Sequence, residues 1–343
     1  MRCRRVPLAV VAAILGAALW APGVWGAAAT GAPAAAVGPN SGVIRGRVVD
    51  ETLPVHPVAG QLVRLQIVER GSSSERQTRT GARGEFVFTG LPVGGLRVFL
   101  VSTEYERVSY DGGQRAILTA DAPVRDVPLT VYDATSGRGT LRGVLVFAVV
   151  DVAPGALRVT TVEQVQNAGP RTIVPTRAEP VVFPLPPEAV DVQPLDGWQD
   201  PRVEDGRLTD TRPLPPGVVQ LTYAYQERPV REPVPVEVKP PFGAARVEVL
   251  VSDAHLDVTA TGLSNAGMII ASGRRYVRWS GGPIAPGSTL TLRLGGLPAG
   301  GDGWPGAAAG TLALVLAAGL VWTVAGRGVR SRARPKAFHA VSR

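Results

Sequence analysis

The amino-acid sequence predicts an all-β protein with two β-sandwich domains, a signal peptide at one end and a transmembrane helix at the other. Apolar and polar residues alternate in short runs between residues 43 and 294, which is typical of strands with one buried face. Pro and Gly residues separate these runs, as they do where strands reverse direction. No apolar pattern with a helical period occurs before residue 306.

Residues 1–26 have the layout of a secretory signal peptide. Three Arg residues precede an apolar run over residues 6–20, and small residues follow up to Gly26, where we expect cleavage. The alternative is an uncleaved anchor, which the pair Pro22-Gly23 disfavours because it interrupts the apolar run. Residues 27–41 are rich in Ala, Gly and Pro with almost no large apolar side chain, so we predict a disordered leader there.

Residues 42–134 are predicted to form the first sandwich. Two Gly-rich stretches, residues 80–84 and 90–95, supply positions that tolerate positive φ where strands reverse. The predicted strands cover residues 43–49, 61–68, 84–88, 96–101, 114–118 and 127–132.

Two stretches of this first domain resemble a known family. They are Ile44-Arg45-Gly46-Arg47-Val48-Val49-Asp50 and the run from Thr80 to Gly94, which reads TGARGEFVFTGLPVG. Both are similar to the carboxypeptidase regulatory-like domain, a transthyretin-like sandwich with a carbohydrate-binding-like fold. In that family the second stretch forms a turn, a strand with two inward-facing aromatic residues and a Leu-Pro turn. The resemblance implies a non-catalytic accessory module, and the acidic residue that often precedes the Gly turn is absent here.

A second sandwich region is predicted over residues 139–298. Its many short alternating runs fit one sandwich, or a larger or double one. The predicted strands cover residues 141–152, 157–166, 181–184, 218–225, 245–251, 256–260, 276–279 and 289–294.

The segment of residues 306–326 is predicted to be a single transmembrane helix. It contains no charge, and 21 helical residues reach roughly 31 Å, enough to cross a bilayer core. Trp304 and Trp322 lie near its ends, where indoles favour the membrane interface. Residues 327–343 are basic, so the positive-inside rule predicts a cytoplasmic tail. We therefore expect a single-pass protein of the cell membrane, with the N-terminus and the domains outside the cytoplasm.

The distribution of charge argues against nucleic-acid binding. The net charge is +8, but three of the 36 basic residues lie in the predicted signal peptide and six in the predicted tail. All 28 acidic residues lie between these two segments, so the predicted ectodomain is close to neutral.

Cys3 is the single cysteine and lies in the predicted signal peptide, so we expect no disulfide in the mature chain. The preference for Arg over Lys, with abundant Ala, Gly, Pro and Val, indicates a bacterium with GC-rich DNA.

Motifs for enzymatic chemistry are absent from the sequence. The three histidines, His56, His255 and His339, are far apart, and no His-Glu-x-x-His or comparable zinc pattern occurs. There is no Gly-x-Ser-x-Gly elbow, and the mature chain would lack cysteine. We therefore predict a non-enzyme with no catalytic residue, no metal site and no cofactor.

Three aromatic residues are candidates for ligand binding, namely Tyr105, Tyr110 and Trp198. Each lies near a polar or Gly-rich segment, and exposed aromatic faces are a common means of binding carbohydrate. The alternative for these residues is packing in the core or at a hinge.

The sequence therefore predicts a non-enzymatic envelope protein. Its ectodomain would bind a protein partner or support a membrane complex. The alternative is a surface module that binds carbohydrate or cell wall through the three aromatic residues.

Overall fold

A computed structural model describes residues 41–113, 115–229, 231–252, 255–271 and 273–298. The predicted signal peptide, transmembrane helix and basic tail lie outside these ranges, as does the predicted leader up to residue 40. The described part is all-β, as predicted, with several sheets and no helix. Consequently, none of the described residues belongs to a helix that could cross a membrane.

The first region, residues 41–131, consists of two sheets that enclose one apolar core. Its strands are β1 (Ser41–Asp50), β2 (His56–Pro57), β3 (Leu62–Glu69), β4 (Ser72–Arg79), β5 (Glu85–Pro92), β6 (Arg97–Tyr105), β7 (Val108–Asp111), β8 (Val124–Asp126) and β9 (Leu129–Val131). One sheet has the order β2-β1-β5, and β8 and β9 pair with β1 in parallel. The other has the order β4-β3-β6-β7.

The alternation of apolar residues explains the core of the first region. Phe86 and Phe88 on β5 are both buried, as the family resemblance predicts for two inward-facing aromatic residues. The predicted turns at residues 80–84 and 90–95 contain Gly84, Gly90, Gly94 and Gly95, all with positive φ. The family resemblance predicts a turn at Leu91-Pro92. Strand β5 instead continues through these two residues, because Leu91 pairs with Gly42 on β1.

The second region, residues 134–298, contains the remaining described strands. They are β10 (Ala134–Thr135), β11 (Leu141–Ala153), β12 (Ala156–Asn167), β13 (Thr172–Ile173), β14 (Val181–Pro184), β15 (Val190–Asp196), β16 (Arg202–Glu204), β17 (Arg207–Asp210), β18 (Gly217–Glu227), β19 (Val234–Val238), β20 (Arg246–Ser252), β21 (Asp257–Thr261), β22 (Ser264–Ala271), β23 (Arg274–Gly281) and β24 (Leu290–Gly295).

A seven-stranded sheet with the order β15-β18-β12-β11-β20-β23-β22 organises the second region. Two three-stranded sheets, β14-β17-β16 and β19-β24-β21, contribute Phe183, Leu208 and Leu292 to the core on one of its faces. A smaller cluster around Phe147 and Tyr276 lies on the opposite face. The central strands β11 and β12 are therefore buried on both faces, which explains the continuous apolar run over residues 144–150 of β11.

One predicted strand is wrong, and several strands were not predicted. Residues 115–118 form only an isolated bridge, between Ala116 and Phe99, which lies beyond β7 on the same side of β6. The strands that the alternation did not predict, most of which are short or exposed, are β2, β4, β7, β8, β10, β13, β15, β16, β17, β19 and β22.

Candidate functional site

The most unusual surface feature of the described residues is the edge strand β22. It lies at one end of the seven-stranded sheet and pairs with β23 on one side only. Met268 is 62% exposed and Ile270 is 76% exposed, whereas Ile269 and Ala271 pack on the cluster around Tyr276. A free strand edge that presents large apolar side chains is a site where another strand can pair.

The opposite edge of the same sheet is protected. Strand β15 contains Pro194, which has no N–H to donate, and its pairing with β18 is irregular at two places. Asp191 has a positive φ of 51°, which also departs from regular strand geometry. Proline and irregular pairing disfavour the addition of a further strand at β15, whereas residues 268–271 of β22 pair regularly with β23 and leave a regular free edge.

A polar groove lies on the outward face of the four-stranded sheet in the first region. It has a volume of about 360 Å³ and is lined by side chains from β3, β6 and β7 and by the loop that follows β7. Among the lining residues are Gln66, Leu100, Ser102, Asp111 and Arg115. A second groove of about 500 Å³ shares Gly112 and Arg115 with the first, so the two grooves adjoin at these residues.

The loop after β7 shapes this double groove. Gly112 approaches the connection between β8 and β9 so closely that a Cβ atom there would lie 2.3 Å from Cγ1 of Val127. Oδ1 of Asp111 accepts a hydrogen bond of 2.8 Å from the N–H of Gly113, which holds the loop in place. The groove therefore offers amide, hydroxyl, carboxylate and guanidinium groups, which can donate and accept hydrogen bonds to a hydroxylated ligand.

The three predicted ligand-binding aromatic residues lie elsewhere. Tyr105 is partly buried, and its hydroxyl donates a hydrogen bond of 3.0 Å to Oδ2 of Asp50. Tyr110 is buried, and its hydroxyl lies 2.9 Å from the carbonyl of Tyr132 and 2.7 Å from Oγ1 of Thr172. The contact with Thr172 joins the first region to the second.

Trp198 packs inside the second region and is partly buried. Its ring lies 5.3 Å from the ring of Phe183 in an edge-to-face arrangement, and its Nε1 donates a hydrogen bond of 2.6 Å to the carbonyl of Thr222. The structure thus places Tyr105 and Tyr110 in one network and Trp198 in another. Ligand binding by these residues stays a prediction, and none of them lines the polar groove.

Asp50 is the centre of a small polar network between the regions. Burial opposes its charge, but hydrogen bonds from Thr52 and Tyr105 outweigh burial and lower its pKa. Burial and the nearby Asp50 charge raise the pKa of Asp133, which also lies 3.8 Å from Arg171. This network contains no histidine, and within the described ranges no group of three or more His, Cys, Asp or Glu residues could hold a metal ion.

Two buried acids in the second region were not singled out by sequence reasoning. Burial raises the pKa of Glu163 to about 8, and its Oε1 accepts a hydrogen bond of 3.1 Å from Tyr223. Burial likewise raises the pKa of Glu227 to about 7. Along β12, Glu163 lies an even number of residues from the core residues Val159 and Val165, so the three side chains face the same side of the sheet. The inward position of Glu163 was therefore predictable from the sequence.

Comparisons with known proteins place the chain in no family. No protein-family model matches it, and no curated protein matches it. Two solved structures of an M1 zinc metallopeptidase from Deinococcus radiodurans, one of them a mutant bound to a Tyr-Ser-Ala substrate, each share 18% identity with it. Each match covers 46% of this chain and 43% or 44% of the other, with TM-scores of 0.30 and 0.29. The match thus spans less than half of the metallopeptidase. The fold is that of an all-β protein with sandwich-like layers.

Proposed function

We propose that this chain is a non-enzymatic, single-pass envelope protein whose extracytoplasmic β-sandwich regions bind a protein partner or support a membrane complex. In this proposal the first region is a carboxypeptidase regulatory-like, transthyretin-like module. Residues 1–26 direct export, residues 306–326 form the membrane anchor, and the basic tail stays in the cytoplasm.

The observation that carries the proposal is the open apolar edge of β22. Met268 and Ile270 are large, apolar and mostly exposed on a strand with no described neighbour on its outer side. An open edge of this kind promotes aggregation of a monomeric protein, because it can pair with any available strand. A partner that adds a strand would satisfy the backbone and cover the two side chains.

Photo-crosslinking in intact cells tests this proposal. A photoreactive residue replaces Ile270 in the full chain, and the matched control carries it at Leu96, which is 72% exposed in the first region. We expect a discrete protein adduct with the Ile270 probe that the Leu96 probe does not give. No adduct, or the same adducts from both positions, would count against a protein-binding edge.

A second candidate function, carbohydrate or cell-wall binding, is favoured by the polar groove of the first region. Sugar hydroxyls both donate and accept hydrogen bonds, which matches side chains such as Gln66, Ser102 and Arg115. Leu100 adds a small apolar surface beside them.

Binding to purified envelope polysaccharides tests the second candidate. We expect Gln66→Ala and Arg115→Ala to weaken binding by at least about tenfold, because a tenfold loss corresponds to about 1.4 kcal/mol. Arg83→Ala, which removes an exposed arginine outside the groove, is the matched control. If Ala at Tyr105 or Trp198 abolished binding while the groove variants bound normally, the aromatic residues would be the site instead.

A further inference from the structure

We infer that β22 pairs with β22 of a second copy of this chain, antiparallel and across a two-fold axis. The inference rests on the proposed function, because it specifies which protein the open edge binds. Pairing of this kind would join two seven-stranded sheets into one continuous sheet.

The hairpin formed by β22 and β23 determines which backbone groups face outward. Ala271 pairs with Arg274, so the two strands are joined by a two-residue connection. In such a hairpin the closing pair exchanges hydrogen bonds, and alternate residues along the strand direct their N–H and C=O groups away from the partner. By this alternation Met268 and Ile270 offer their backbone groups at the free edge.

The side chains of β22 are complementary to themselves under a two-fold axis. An axis at Ile269 brings Met268 of each copy opposite Ile270 of the other, with both residues on the same face of the sheet. The outward backbone groups then meet as two hydrogen-bonded pairs. The four exposed apolar side chains would cover one another, so a single register satisfies both the backbone and the side chains.

Charge also favours a second copy at this edge. Strand β22 reads SNAGMIIA and contains no charged residue, so two copies meet without like charges between the paired strands. The edge strand of the four-stranded sheet, β4, contrasts with this because it contains Glu75, Arg76 and Arg79. Charged residues of this kind discourage pairing at an edge.

The size of the contact predicts a weak dimer that forms in the membrane. Stable interfaces bury about 1,200–2,000 Å², and a ladder of a few residues buries less than that. Two anchored copies share one membrane surface, which raises their effective concentration and allows a weak contact to form. We therefore expect pairing in the full chain in membranes.

Cysteine crosslinking in membranes tests the register. The full chain carries Cys3→Ser and Ile269→Cys, which places the new thiols opposite each other at the axis. Residues opposed in a non-hydrogen-bonded pair have Cα atoms about 4.5 Å apart, a distance that a disulfide spans. We expect a disulfide-linked dimer of two identical chains after mild oxidation.

Two matched variants make the test specific. Ser264→Cys lies on the same strand, but in this register the two copies of residue 264 would be roughly 33 Å apart, so no crosslink should form. Adding Ile270→Lys to the Ile269→Cys chain should reduce the dimer at least about tenfold, because it places charge at the paired edge. A urea midpoint close to that of the parent chain would show that this variant is folded.

The outcomes separate the inference from the proposed function. Equal crosslinking from positions 264 and 269, or none from position 269, would overturn pairing of two copies. If the photoreactive Ile270 position then captured a different protein, the open edge would still bind a partner, and only the identity of that partner would be wrong. If it captured no protein, both proposals would fail.

Discussion

The hydroxyl of Tyr223 donates a hydrogen bond of 3.1 Å to Oε1 of Glu163, and both side chains lie in the core of the second region. They belong to neighbouring strands, β18 and β12, whose inward faces are otherwise largely apolar. Burial raises the pKa of Glu163 to about 8, so the folded protein keeps this carboxyl protonated at neutral pH.

Stability is expected to fall as the pH rises from about 5 to 8. In the unfolded chain Glu163 has its ordinary pKa of about 4.5, whereas in the folded chain its pKa is about 8. Between these values the unfolded state binds fewer protons, so the free energy of unfolding decreases by up to about 1.4 kcal/mol per pH unit. Glu227, with a pKa raised to about 7, acts in the same direction. Urea unfolding followed by tryptophan fluorescence measures the slope.

Glu163→Gln should reduce this pH dependence. The amide is uncharged and can still accept the hydrogen bond from Tyr223, so the variant should be more stable than the parent chain at pH 8. Glu104→Gln changes an exposed residue of the first region and serves as the control. An unchanged slope in Glu163→Gln would show that Glu163 ionises normally in the folded protein.

Tyr223→Phe should destabilise the protein by about 1–3 kcal/mol, because it leaves a buried carboxyl group without this donor. The hydrogen bond from Tyr223 lowers the pKa of Glu163, so its loss should raise that pKa further. Tyr225→Phe is the matched control, since Tyr225 is buried on the same strand and stacks at 6.5 Å on Tyr223. Equal urea midpoints for the two variants would contradict the role of the Tyr223 hydroxyl.

Gly143→Ala should cost about 3 kcal/mol or more of stability. A Cβ atom at this position would lie 1.7 Å from the carbonyl oxygen of Gly243, a backbone atom that cannot rotate away. Gly139→Ala is the control, because nothing lies within 4 Å of its Cβ position, and we expect a change within about 0.5 kcal/mol. Thermal unfolding of both variants measures the difference, and similar midpoints would refute the close approach of β11 to the loop before β20.

Phe183→Ala should destabilise the second region by about 3–5 kcal/mol. Phe183 is fully buried, and its ring lies 5.3 Å from that of Trp198 and 6.1 Å from that of Phe242. Val203→Ala, on the exposed strand β16 of the same three-stranded sheet, should change stability by about 0.5 kcal/mol or less. If urea unfolding showed only a small loss of stability in Phe183→Ala, this aromatic cluster would not be tightly packed.

Strands with alternating or continuous apolar runs were predictable from sequence, whereas polar edge strands were not. The runs that became β1, β5 and β11 have a clear period of two or a continuous apolar pattern. Strand β4 reads SSSERQTR, and without apolar residues it gives no such signal. Gly71 tolerates the turn between β3 and β4, in which Arg70 and Gly71 both have positive φ, but Arg-Gly is not a dipeptide that predicts a hairpin.

The candidate site was less predictable than the fold because it depends on sheet order. The two glycines at residues 262 and 267 are typical of a turn. In the structure Gly267 has a φ of 90° and lies at an irregularity within β22. Which strand lies at the edge of a sheet is a property of tertiary pairing and has no local signal. The polar groove likewise joins residues from β3, β6 and β7 that are distant along the chain.

The parallel pairing of β1 has a consequence for the order in which contacts form during folding. Residues 43–45 pair with residues 124–126, and residues 48–50 pair with residues 129–131. Strand β1 therefore waits for about 80 further residues before these parallel pairs can close, and β11 waits longer for β20. Because distant segments meet slowly, we expect the hairpins β3-β4 and β11-β12 to form first and the parallel pairs of both regions to close late.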